Sequence, residues 1–130
     1  MEITMVASSK IIKLITLLTE LTQESKIEWH VDDPPQLLTK GTDFIIPIYY
    51  VTTYKNKEFA IYKRRYQDFF PDYEKFYWTE KIVLALMDDD TVIWDYSESS
   101  PALYNLFEAV REQVAGIDDI VDNLIDEIEN

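Results

Sequence analysis

Lys55, Lys57, Lys63, Arg64 and Arg65 stand among Tyr54, Tyr62 and Tyr66, the one basic concentration in the chain. Arginine beside tyrosine clamps phosphates or stacks on flat rings. Tyr62, Lys63, Arg64, Arg65 and Tyr66 are therefore a candidate surface for an anionic ligand or an acidic protein partner. The competing account is charge balance: cations on an exposed strand face pair across the sheet with nearby acids and discourage edge-to-edge pairing. In a chain of net charge −13 these five cations need acidic neighbours, which favours that account.

Other chemistry finds little support. His30 lies close to Asp32 and Asp33, a histidine–carboxylate neighbourhood that could shuttle protons, but no G-x-S-x-G elbow or further partner accompanies it. Asp88-Asp89-Asp90 offers oxygen ligands for a hard cation, yet an EF-hand needs acids at alternating positions and a central glycine, so these acids read as a hairpin tip and no metal is expected. Cysteine is absent, which removes thiolate nucleophiles and thiolate zinc sites. Gly41 and Gly116 are too far apart to build a phosphate-cradling loop. No cofactor is expected, and 25 acids without distinctive spacing do not single out a catalytic pair.

The last candidate is a stripe. Ile117, Ile120, Val121, Leu124, Ile125 and Ile128 fall on one helix face, while Asp118, Asp119, Asp122, Asp126, Glu127 and Glu129 fill other positions without any basic residue. Such a face is buried within the domain, against a second copy, or against another protein; its acids could also imitate a phosphate backbone in a basic groove.

The elements that would position these groups follow from periodicity. Ile11, Leu14, Ile15, Leu18 and Leu21 predict an amphipathic helix to about Thr22, with Ser8 or Ser9 as N-cap and Ile12 and Leu17 widening the apolar face. Ile27, Trp29 and Val31 alternate with Glu28 and His30, predicting a short half-buried strand with His30 outward. Residues 32–43 are expected as a loop, and 44–54 as a β-rich strand with Pro47 at an edge or bulge. Asn56 is expected to turn that strand into a hairpin partner reaching Tyr66. Residues 67–74 are read as a loop pinned to the core by its rings, followed by a strand from Lys75 to Met87, a turn at the three aspartates and a strand around Val92, Trp94 and Tyr96. Ser100-Pro101 opens a helix with the stripe Leu103, Leu106, Phe107, Val110 and Val114; Gly116 closes it before the final helix. The order predicts a single α+β domain over 1–130: an N-terminal helix, an antiparallel sheet of four to five strands and two C-terminal helices.

The acidic surplus argues against nucleic acid as a partner, because such surfaces neutralise phosphates with Lys and Arg. No run is long enough to span a membrane, and Lys10, Lys13 and Glu20 interrupt the only stretch that suggests a signal peptide, so a cytoplasmic location is expected. Lys26-Ile27-Glu28-Trp29 after a leading helix, the hairpin from Tyr54 to Tyr62, and the run from Arg111 to Asp119 give the chain a resemblance to a group of small uncharacterised bacterial proteins. That resemblance implies a bacterial, soluble, single-domain protein and carries over no catalytic or binding residue. The expected function is a non-enzymatic protein-interaction domain, with a homodimer as one form. The alternatives are an acidic inhibitor or immunity-type protein blocking a basic site, and an enzyme whose carboxylate chemistry is not visible in sequence.

Overall fold

The computed structural model describes residues 2–130, with side chains described from Ser8 onward. It is an α+β chain: α1 (Glu2–Gln23), β1 (His30–Val31), β2 (Ile45–Tyr54), β3 (Lys57–Phe70), β4 (Lys75–Asp88), β5 (Thr91–Tyr96), α2 (Pro101–Ala115) and α3 (Ile117–Glu129). Two compact units result: a helical one, from the residues up to Trp29 together with Pro101–Asn130, and a sheet, His30–Ser100.

In the helical unit α1 and α2 pack on one another. Ile15 and Leu18 of α1 and Leu103, Leu106, Phe107 and Val110 of α2 are buried, as their spacing predicts; Val114 is only partly so. Leu14 and Leu17 remain exposed, so the apolar face of α1 is wider than its cover. Ser8 and Ser9 do not cap α1, because the helix already runs through them from Glu2. The threonines of α1 satisfy their hydroxyls inward: Thr16, Thr19 and Thr22 donate to the carbonyls of Ile12, Ile15 and Leu18 at 2.9, 2.9 and 2.7 Å.

The segment after α1 is held by side chains more than by strand pairing. Trp29 Nε1 donates to the buried Thr22 Oγ1 at 3.0 Å. The amide of Gln113, on α2, meets three backbone groups: its Oε1 accepts from Trp29 N–H at 2.8 Å, and its Nε2 donates to the carbonyls of Thr22 at 3.0 Å and Ile27 at 2.8 Å. Ile27 and Trp29 are buried and Glu28 and His30 exposed, as the alternation predicts. The strand itself shrinks to His30–Val31, and Val31 is exposed rather than inward. Asp32 through Pro35 follow at once, and Pro34 and Pro35 cannot donate to a ladder.

The sheet is a meander of order β1-β2-β3-β4-β5, each neighbour antiparallel. β2 turns into β3 through Lys55 and Asn56 at φ 50° and 65°, the two left-handed residues of a tight hairpin loop. The register shifts between Ile45 and Ile48, a bulge at Pro47, where a missing N–H is tolerated. Asp89, at φ 53°, turns β4 into β5 within the aspartate run. One sheet face carries a core of Tyr49, Val51, Ala60, Tyr62, Val83, Ala85 and Met87, with Leu38, Ile46 and Val92 packed against it.

The largest departure lies between Tyr66 and Lys75. Instead of ending at Tyr66, β3 stays paired with β4 as far as Phe70 opposite Lys75, and a short 3-10 turn, Pro71–Tyr73, reverses the chain with Glu74 at φ 49°. The rings are not pinned to the core: Phe69, Phe70, Tyr73, Phe76, Tyr77 and Trp78 are all exposed. They pack on each other, Phe69 on Phe76 across the ribbon at 5.1 Å and Phe70 on Tyr73 of the turn at 4.9 Å between centroids. Cross-strand aromatic pairs favour continued pairing, and that is why the strand outlasts its acids and reaches Pro71.

Candidate functional site

The pleat divides the basic residues of β3. On the face bearing Tyr62 stand Arg64 and Tyr66; on the other stand Lys63 and Arg65. Glu80 lies between the second pair, 3.6 Å from Lys63 Nζ and 3.2 Å from Arg65 Nε. The Arg64 guanidinium sits 4.6 Å over the Phe44 ring, and Lys81, directly opposite Arg64, lies 5.2 Å over the Tyr66 ring. Arg64 Nε is buried without a hydrogen-bond partner, so the ring is what faces this cation. Tyr62 is a core residue, 1% exposed. Thus Tyr62, Lys63, Arg64, Arg65 and Tyr66 are adjacent in the chain but are spread over two faces, with Lys63 and Arg65 held to one carboxylate.

Tyr62 and Tyr49 stack at 5.4 Å between ring centroids. Burial pushes the Tyr62 phenol up to about 12, helped by Asp95 and opposed by Arg64. Tyr49 is pushed further in the same direction, first by burial, then by Tyr62 and the charges of Glu58, Asp32 and Asp90. Two phenols held neutral this firmly support the sheet but have no opening to a substrate.

His30 is exposed on β1 opposite Val51. The Asp32 carboxylate serves the local backbone, its Oδ1 accepting from Asp33 N–H at 2.8 Å. Among the described residues no cluster of acids or histidine is placed to hold a metal ion. A groove of about 410 Å³ opens in the helical unit where Thr22, Gln113, Glu112, Ile117, Asp118 and Val121 meet. Its charged members are acidic and no base accompanies them.

The terminal helix is different in kind. Gly116 takes φ 65° and its N–H donates to Gln113 carbonyl at 3.1 Å, ending α2 as expected and turning the chain into α3. No residue of α3 is buried. Ile117, Ile120, Val121, Leu124, Ile125 and Ile128 are between 41% and 82% exposed, an unbroken apolar stripe facing water. No protein family, curated protein or solved structure shows similarity to this chain. Among the described residues no helix is long and apolar enough to cross a membrane.

A helix with no buried residue opens at little cost. Amide exchange in α3 is expected to run ~1,000-fold faster than in the middle of α2, where Leu106, Phe107 and Val110 are buried. Equal protection of the two helices would mean that α3 is already covered in solution.

The stripe was legible as a periodicity, but its exposure was not, since the same pattern describes a helix packed inside a domain. Of the aromatic ribbon, the half from Lys75 onward was read as a strand and the half of β3 beyond Tyr66 was missed. Its signal was a period of two, with Arg65, Gln67 and Phe69 on one face and Tyr66, Asp68 and Phe70 on the other, masked by Pro71 and the surrounding acids.

Proposed function

We propose that this chain is a non-enzymatic protein-interaction domain that offers α3 to another protein. The observation that carries this reading is the exposure of every apolar residue of the α3 stripe. An apolar helix face of this breadth gains free energy only by leaving water, at about 25 cal/mol per Å² of surface covered. A hydrophobic groove that accepts an amphipathic helix through anchors at i, i+3, i+4 and i+7 is the fitting receptor; Ile117, Ile120, Val121 and Leu124 have that spacing.

The rim narrows the partner. Asp118, Asp119, Asp122, Asp126, Glu127 and Glu129 surround the stripe without a single cation, so two copies of α3 side by side would set acid against acid. A groove edged with Lys and Arg is complementary instead, and the charges speed encounter and select the partner. This is also what an acidic inhibitor of a basic site requires, and the fully acidic rim is what favours that second reading.

The test compares intact protein with Ile120→Lys/Leu124→Lys as bait, then follows α3 amide exchange in the complex. Both positions are exposed, so circular dichroism and melting should be unchanged while capture of the partner is lost. The captured protein should protect α3 in the wild type and release it as salt rises. Unchanged capture by the double variant would end the proposal.

A further inference from the structure

The ribbon has two long edges, and they are finished differently. On the β3 side, Gln67 N–H donates to Asp43 Oδ2 at 3.3 Å and Phe69 N–H to Asp68 Oδ1 at 2.9 Å, so carboxylates occupy the outward donors. On the β4 side, β5 pairs only from Leu84 onward, and among the described residues no strand lies beside Lys75–Val83 away from β3.

Register fixes which groups point outward there. Since Gln67 N–H faces away from β4, the directly opposite Trp78 also directs its N–H and C=O away from β3, and Phe76, Glu80 and Ile82 do the same by alternation. This edge presents open donors and acceptors among exposed rings, Phe76 at 68% and Trp78 at 52%. An edge of that description recruits another strand unless its charges forbid it.

We propose that Lys75–Val83 pairs with the same segment of a second copy of this chain, antiparallel, about a two-fold axis beside Thr79. The two-fold requires some residue to stand opposite itself, because side chains directly opposite in an antiparallel pair share a face. Charge then selects the residue. Centring on Trp78 sets Lys75 against Lys81, centring on Glu80 sets that acid against its own copy, and centring on Tyr77 shortens the overlap and brings Glu74 up to Glu80.

Centring on Thr79 uses the whole free edge and opposes no like charges. It places Phe76 against Ile82, Trp78 against Glu80, Tyr77 against Lys81 and threonine against threonine. Phe76 and Trp78 of one copy exchange backbone hydrogen bonds with Ile82 and Glu80 of the other, in both directions. On the Phe76 face, each copy's Phe69, Phe76 and Trp78 join across the seam, and each Glu80 stays beside its own Lys63 and Arg65. The interface uses no residue of α3.

The absence of cysteine makes the register measurable. Thr79 is a non-hydrogen-bonded position toward the new strand, where Cα atoms approach to ~4.5 Å, within disulfide range. Under mild oxidation Thr79→Cys should cross-link between copies at least about tenfold more than Tyr77→Cys or Trp78→Cys, whose counterparts lie further along the strand in this register. Light scattering should give twice the chain mass for the wild type and for Ile120→Lys/Leu124→Lys. Trp78→Pro, which removes an outward donor and leaves the β3 pairing in place, should give the single mass with an unchanged circular dichroism spectrum. A wild type of single-chain mass at high concentration, a dimer surviving Trp78→Pro, cross-linking strongest at 77 or 78, or a dimer lost on substituting α3 would each overturn the proposal.

Discussion

Replacing Gln113 with leucine is expected to cost ~3 kcal/mol or more of folding stability, since each buried or partly buried group left without its partner costs ~1–3 kcal/mol. The side chain answers Trp29 N–H and the carbonyls of Thr22 and Ile27 together, and leucine answers none of them. Urea unfolding should show a lower midpoint at an unchanged slope. A midpoint equal to the wild type's would show that these groups find other partners at no cost. Gln113→Glu sharpens the test by pH. Its carboxylate can still accept from Trp29 N–H, but the other oxygen then faces two carbonyls that formerly accepted hydrogen bonds. Only the protonated acid can donate, and to just one of them, so its folded pKa is raised above the ordinary glutamate value of ~4.3. The variant's stability is therefore full below that ordinary value and is lost as pH rises through the raised folded value.

Alkali should unfold the sheet through its own phenols. Tyr62, pushed up to about 12, is neutral in the fold over a range where an exposed tyrosine ionises. Because the folded value is the higher one, the stabilisation is complete below the ordinary ~10 and disappears as pH climbs from there through the folded value, a loss of about 3 kcal/mol for Tyr62 at ~1.4 kcal/mol per pH unit. Tyr49 adds to the loss in the same direction. Tyrosinate absorbance from the Tyr49–Tyr62 pair should appear together with unfolding. Tyr62→Phe should retain more of its neutral-pH stability at high pH than the wild type; superimposable alkaline curves would dismiss Tyr62 as the cause.

The element order and the α+β class were readable because each element announces itself locally: helical spacing in α1 and α2, proline after serine at residue 101, positive-φ residues at Asn56 and Gly116. What was not readable depends on distant partners. Proline and acids at 68–74 resemble a loop until β4 supplies the matching strand, and then the rings carry the pairing through. Val31 alternates correctly but lacks a strand long enough to hold it inward. The basic run at 63–65 looks like one patch in sequence, and the pleat divides it. For α3, periodicity tells which face is apolar, whereas its cover is a property of the rest of the fold and of whatever the protein meets.

The Gln113 bonds join positions 84 to 91 residues apart, whereas the sheet is a run of successive hairpins. Loop closure makes near contacts quicker to form than far ones. During synthesis, then, the strands can pair as they emerge, while α1 and the segment to Trp29 have no amide to receive them until α2 leaves the ribosome. A helix made before the sheet is thus fastened after it, and a chain stalled after Ser100 would carry a finished meander and an amphipathic helix with its apolar face in need of a chaperone.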